Sequence, residues 1–177
     1  MSEHDLATQT RKVFHDIHLE HLADNQVATR HSNIIEPELM GLSQDFLDGA
    51  LCADLGCGSA AHGVVNLLDL GAGFVHALDI DTSFIEPATK RLAGNDSYTG
   101  RWQADIGSIL DLPYETEKFD FVLCRGVVHH VSDDQKAVAE IYRVLKTGGK
   151  AFLYVTGKGG VLNRLFKEVL RDEYRQN

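Results

Sequence analysis

The run Leu51-Cys52-Ala53-Asp54-Leu55-Gly56-Cys57-Gly58 constrains this chain more than any other segment of similar length. A short apolar stretch stops at an acid and then at two glycines one residue apart. That is the pattern of a strand feeding the chain into a tight turn. Glycine suits the turn because it reaches positive φ without cost and lets the backbone press against a ligand. The next apolar run, Phe74-Val75-His76-Ala77-Leu78, closes on a second acid, Asp79, 21 residues past Gly58. This separation is the one expected for a carboxylate that receives a ribose. Two strand ends carrying a glycine turn and an acid point to a site for an adenosine-containing ligand.

The 177 residues suffice for one domain with a sizeable core and are too few for two ordinary ones. An apolar content of 44% favours a globular fold over disorder. The net charge of −9 argues against a polyanionic partner, since nucleic-acid binders usually present a basic face. Cys52, Cys57 and Cys124 are widely spaced and sit on or beside apolar runs, so they read as reduced thiols rather than a disulfide framework or zinc site. The polar start, Met1 to Lys12, shows no signal-peptide pattern, and no apolar run approaches the ~18 residues that span a bilayer. The expected location is the cytoplasm.

Along the chain, strand-like and helix-like patterns alternate. Residues 11–24 carry Phe14, Ile17 and Leu22 at helical spacing, and Pro37 fits near the start of a helix with Leu39, Leu42, Phe46 and Leu47 on one face. Strands are expected over 51–55, 74–79, 101–104 ending at Asp105, 119–124 and 150–155. Helices are expected over 60–70, from a Ser83–Glu86 capping box to about Leu92, from a Ser132–Gln135 capping box to the Gly148-Gly149 stop, and along the Leu162, Leu165, Phe166, Val169 stripe. The alternation implies parallel pairing, hence an α/β fold of three layers. Asp54 to Gly58, Asp79, Asp105 and Cys124-Arg125-Gly126 then all fall at the carboxyl ends of strands, where open parallel sheets bind ligands.

These residues resemble a class I S-adenosylmethionine-dependent methyltransferase of the broad small-molecule type. Ala53 to Ser59 is similar to that family's first motif, and Ala77-Leu78-Asp79-Ile80-Asp81 to its second strand end. Gln103-Ala104-Asp105-Ile106 with Leu110-Asp111-Leu112-Pro113-Tyr114 resembles the adenine-side segment. Phe119-Asp120-Phe121-Val122 with Val128-His129-His130-Val131 resembles the fourth strand and its exit. Glu140 to Lys150 resembles the helix and glycine turn before the fifth strand. The likeness runs from about residue 48 to 156.

The resemblance implies a Rossmann-like three-layer α/β/α sandwich with a mainly parallel sheet, short of the family's last two strands. It implies an N-terminal helical segment, 1–47, forming a cap or substrate entrance, and a cofactor-binding methyltransferase domain, 48–177, incomplete at its C-terminus. S-adenosylmethionine is the implied cofactor and S-adenosylhomocysteine the product. The Gly56-Cys57-Gly58 turn would pass under the methionine and ribose. Asp54 would receive the methionine ammonium, Asp79 the ribose hydroxyls, and Ile80 would pack on the adenine. Asp105 would accept from the adenine amino group while the Ile106 amide donates to the ring. Arg125 and Gly126 would lie beside the sulfonium.

The implied reaction is direct displacement onto a small-molecule acceptor, with no nucleic-acid partner and no membrane span expected; a homo-oligomer is left open. No catalytic residue is assigned. His129 and His130 are candidates for a general base, although adjacent histidines more often pack or hydrogen-bond within a loop. No metal is expected: His18 and His21 have i, i+3 spacing, but no further ligand completes a set. Lys158-Gly159-Gly160 lacks the order of a phosphate loop. Two other functions compete. Gly56-x-Gly58-x-x-Ala61 formally satisfies the nicotinamide-binding pattern, so an NAD(P)-dependent oxidoreductase is one alternative. A non-catalytic S-adenosylmethionine-binding module is the other.

Overall fold

The structure is a computed structural model and describes residues 36–38 and 40–155. The helices expected over 11–24 and 162–169, the histidines at 15, 18 and 21, Leu39 and Lys158 to Gly160 lie outside the described residues. Within them the order is β1 (Leu51–Leu55), α1 (His62–Asp69), β2 (Phe74–Asp79), α2 (Thr82–Ala93), β3 (Trp102–Ile106), β4 (Phe119–Arg125), α3 (Asp134–Val144) and β5 (Leu145–Tyr154).

The five strands form one sheet in the order β3-β2-β1-β4-β5, and every pairing is parallel. β1 lies between β2 and β4, so strand order reverses beside it, and the crevice at its carboxyl end is the switch point of the sheet. Alternation along the strands divides the apolar residues between two cores. Cys52, Val75, Ala77, Phe121 and Leu123 join Val64, Leu67 and Leu68 of α1 and Ala88 and Leu92 of α2 on one face. Ala53, Leu55, Leu78, Phe119 and Val122 meet Ala137, Ile141 and Val144 of α3 on the other. Helices therefore cover both faces, and the arrangement is the three-layer α/β/α sandwich expected. β1 and β2 are near-continuously buried, as strands covered on both faces must be.

Three local expectations are corrected. The segment after Pro37 is a series of turns rather than a helix; Gly41 and Gly49 adopt φ of 66° and 70°, outside the helical region. Its Leu42 and Leu47 are nonetheless buried against the α1 face. The second correction concerns α2, which is capped by Asp81, whose carboxylate accepts from the Ser83 amide at 3.0 Å; Ser83 lies inside the helix. Likewise α3 is capped by Asp133, which accepts from the Lys136 amide at 2.9 Å, and not by Ser132. In both, an Asp beside the serine supplies the stronger acceptor at the position where the backbone is extended. The Gly148-Gly149 turn falls within the span of β5, after a register shift between Phe119 and Phe121 of its partner strand, while α3 ends at Val144.

Candidate functional site

The four strand ends singled out in the sequence meet along one edge of the sheet. β1 leads directly into the glycine turn, where Gly56 and Gly58 take φ of 83° and 61°. The amides of Gly56 and Cys57 both donate to the Leu78 carbonyl, at 2.8 and 3.0 Å, which ties the turn to the end of β2. A Cβ on Gly56 would lie 2.3 Å from Val127 Cγ2, so the loop leaving β4 rests directly on this turn. Helix α1 then starts from Ala61, a left-handed residue with φ of 44°.

Asp79 holds the turn from the neighbouring strand. Its Oδ2 accepts from the Gly58 amide at 2.9 Å and its Oδ1 from the Asp81 amide at 2.9 Å. Those two bonds occupy two of the roughly four acceptor positions of a carboxylate. Sequence spacing suggested a sugar-binding role for Asp79; its part in shaping the turn was not visible there.

Asp54 is buried on the α1 face, with 3% of its surface exposed. Burial pushes its pKa up to about 6, and nearby Asp79 adds to the rise; Arg125 and the Val64 amide act in the opposite direction. Its carboxylate sits at the start of α1, where an anion is favoured by the helix amides. Burial also raises the thiols, Cys52 and Cys124 to about 12 and Cys57 further, so none is a thiolate nucleophile near neutral pH. All three cysteines are unbridged.

At the ends of β2 and β3, Ile80 and Ile106 are each 58% exposed. Asp79 and Ile106 are register partners, so Ile80 and Ile106 stand at the carboxyl ends of adjacent strands. Each strand end thus leaves a large apolar side chain uncovered at the mouth of the site. Asp105 is not turned to open solvent. Its Oδ2 meets His76 Nδ1 at 2.7 Å and accepts from the Tyr114 hydroxyl at 2.9 Å, while Oδ1 accepts from Gln103 Nε2 at 2.7 Å. Burial acts to raise its pKa, but these hydrogen bonds outweigh that and hold the carboxyl below its ordinary value. The network spans β2, β3 and the loop before β4, and sequence reasoning missed it. A histidine in the middle of an apolar strand was the only available signal.

Arg125 ends β4, and the Gly126 amide donates to the Tyr154 carbonyl of β5 at 2.9 Å. His129 and His130 follow on a short 3-10 turn, their ring centroids 3.8 Å apart. Burial lowers the pKa of both, and His129 lowers that of His130 further. Two concavities among the described residues lie elsewhere. One, lined by Glu36, Asp48 and Asp69, and another, lined by Phe46, Asp120 and Lys146, sit at the amino-terminal end of the strands. Among the described residues no cluster of His, Cys, Asp or Glu has the arrangement of a metal site.

A family profile described as "Methyltransferase domain" matches residues 53–153, just over half of the chain. The chain belongs to that family. This methyltransferase domain is 30% identical over 115 residues to phosphoethanolamine N-methyltransferase 2 of Caenorhabditis elegans, covering 65% of the chain and 26% of the relative. It is 25% identical over 154 residues to tRNA (carboxymethyluridine(34)-5-O)-methyltransferase alkbh8 of Xenopus tropicalis, covering 84% of the chain and 22% of the relative. The chain thus spans about a quarter of the length of these two relatives. The solved PH0226 protein of Pyrococcus horikoshii has the same fold at 24% identity, with a TM-score of 0.66 over 84% of this chain and 65% of that one. The class is that of S-adenosylmethionine-dependent methyltransferases of class I, whose cofactor is S-adenosylmethionine.

The site's chemistry fits that cofactor: a buried carboxylate for an ammonium, a glycine turn that leaves backbone accessible, a second carboxylate one strand away, and uncovered apolar side chains beyond it. Family membership sets aside the nicotinamide reading of Gly56-x-Gly58-x-x-Ala61. No helix among the described residues is long and apolar enough to cross a membrane.

Proposed function

We propose that this domain binds S-adenosylmethionine across the carboxyl ends of β1, β2, β3 and β4 and transfers its methyl group to a small-molecule acceptor in the cytoplasm. The observation that carries this reading is the paired exposure of Ile80 and Ile106 beside an acid-lined glycine turn. Two large apolar side chains left uncovered next to Asp79 make a surface suited to one flat ring attached to a sugar. Along this edge Asp54 receives the ammonium, the Gly56-Cys57-Gly58 backbone lies under the methionine and ribose, and Asp79 accepts from the ribose hydroxyls. Ile80 packs on the adenine. Asp105 and the Ile106 amide read its amino edge. Arg125 and Gly126 border the reacting end.

The cofactor supplies an electrophilic methyl group on a good leaving group. The protein's task is then to align a nucleophile against it, and such positioning can supply ~7–11 kcal/mol of barrier reduction. His129 and His130, whose pKa values burial lowers, stand in the loop after β4 where a proton acceptor would serve an acceptor that must lose a proton. Arg125 favours the ionised form of Asp54 and Asp79 opposes it, so a cation bound beside Asp54 adds to the effect of Arg125.

Phosphoethanolamine and tRNA figure in the names of relatives, so the acceptor class is not fixed by kinship. The net charge of −9 favours the small molecule over tRNA, because a polyanion would meet a like-charged surface. The test is calorimetric titration with S-adenosylhomocysteine and, separately, with NADH, followed by transfer of radiolabelled methyl to small-molecule and tRNA fractions. Binding of S-adenosylhomocysteine with label in the small-molecule fraction is expected. Label in tRNA would overturn the acceptor assignment. Binding without transfer to any fraction would make this a cofactor-binding module, and tight NADH binding alone would overturn the reading altogether.

A further inference from the structure

We propose that His76 and Tyr114 are positioning residues that pin one oxygen of Asp105, leaving the other to demand a hydrogen-bond donor, so that the site selects a 6-amino purine over a 6-oxo purine. This rests on the cofactor reading above. Asp105 Oδ2 is engaged twice, by His76 at 2.7 Å and by the Tyr114 hydroxyl at 2.9 Å. An ionised carboxylate only accepts, so His76 Nδ1 carries the proton in this contact. Among the described residues the sole partner of Oδ1 is Gln103, an exposed side chain that can yield its place. Oδ1 is therefore the oxygen left to face a ligand, and Ile106 is the next residue.

The pinning is built deep into the fold. His76 and Tyr114 are each 8% exposed, and their rings lie 5.2 Å apart. Both also make edge contacts with Phe119, at 5.5 and 4.9 Å. Tyr114 is placed by α3 across the loop. Glu140 Oε2 accepts from the Leu112 amide at 2.9 Å, and Arg143 donates to the Tyr114 carbonyl at 2.7 Å and the Leu112 carbonyl at 3.1 Å. Glu140 and Arg143 are themselves paired at 2.7 Å. A helix on one face of the sheet thus sets the hydroxyl that fixes a carboxylate at the ligand edge. Rotation of that carboxylate by water is suppressed, so a ligand carbonyl placed against Oδ1 meets only an acceptor and is rejected.

The experiment measures dissociation constants of S-adenosylhomocysteine and S-inosylhomocysteine by calorimetry, with thermal melting of every variant. The 177-residue chain is expected to prefer the amino compound by about tenfold or more, the worth of one hydrogen bond to a charged group. Tyr114→Phe keeps the ring packing and removes only the pinning hydroxyl; the preference should fall several-fold with the amino compound still bound. Asp105→Asn should abolish it. His76→Leu should reduce it, and His76→Asn, which restores a donor, should recover it. An undiminished preference in Tyr114→Phe, or equal binding of both compounds by the unsubstituted chain, overturns the proposal while leaving the cofactor reading intact. Failure of the unsubstituted chain to bind either compound overturns the cofactor reading instead.

Discussion

Asp54 and Gly63 are packed so closely that a Cβ on the glycine would stand 2.3 Å from the Asp54 Oδ2. The first turn of α1 is thereby laid directly on the Asp54 carboxylate, one residue before the end of β1. The same Cβ would lie 2.7 Å from Leu123 Cδ2 of β4, and both side chains are buried, so relief would require them to shift within a packed core.

Gly63→Ala is therefore expected to destabilise the domain, although alanine is the better helix former by ~1 kcal/mol. Overpacking of this kind costs about 1–3 kcal/mol, which exceeds the propensity gain. Urea unfolding should show a lower midpoint with an unchanged slope. A midpoint equal to or above that of the unsubstituted chain would mean that the contact relaxes freely.

Asp54 gives the fold a pH dependence of definite sign. Its folded pKa, about 6, lies above the ordinary 3.8, so the folded state holds the proton more tightly between those values. Stability should fall as pH rises from about 4 to about 6 and level off above that, by on the order of 2–3 kcal/mol from this group. Ligand binding through an ammonium requires the ionised form, so affinity for S-adenosylhomocysteine should strengthen over the same interval. Asp54→Asn should flatten both profiles. If the profiles of that variant follow those of the unsubstituted chain, another group is titrating.

Asp79 has two duties that a single substitution separates only in part. Asp79→Ala removes the acceptor for the Gly58 and Asp81 amides along with any sugar contact, so melting temperature and affinity should fall together. The loss of affinity should be on the order of 1.5–3 kcal/mol, the worth of hydrogen bonds to a charged group. Affinity preserved in a folded Asp79→Ala variant would remove the ribose assignment.

Ile80 offers the cleaner separation. At 58% exposed it contributes little to the folded chain, so Ile80→Ala should melt with the unsubstituted domain. Covering it with a ring is worth about 1–2 kcal/mol at ~25 cal/mol per Å² of apolar surface. Roughly tenfold weaker binding of S-adenosylhomocysteine with no change in melting is the expected result. Equal binding would place the ring elsewhere.

The strands were legible because each is a short apolar run bounded by Gly or Asp; the ranges 51–55 and 74–79 coincide with β1 and β2. The caps were misread by one or two residues. The capping-box pattern at Ser83–Glu86 and Ser132–Gln135 is real in spacing, but the helices start from Asp81 and Asp133, whose carboxylates accept from the Ser83 and Lys136 amides instead. The turns after Pro37 escaped because their apolar residues mimic helical spacing while Gly41 and Gly49 break the backbone. At the site, Asp54, the glycine turn and Asp79 were legible because they are local to two strand ends. The His76–Asp105–Tyr114 network was not, since its members lie 29 and 9 residues apart and meet only after the sheet has paired. The Gly63 contact is equally silent in sequence: only the folded position of Asp54 gives that glycine its meaning.

The sheet keeps its two apolar cores apart, with Asp54 belonging to the side of α1 and α2 and the Asp105 network to the side of α3. A molecule stretched from one carboxylate to the other straddles that divide like a rivet through two plates. Its departure would loosen both halves at once, so occupancy of the edge should register as protection against amide exchange in α1 and α3 alike, far from any atom the ligand touches.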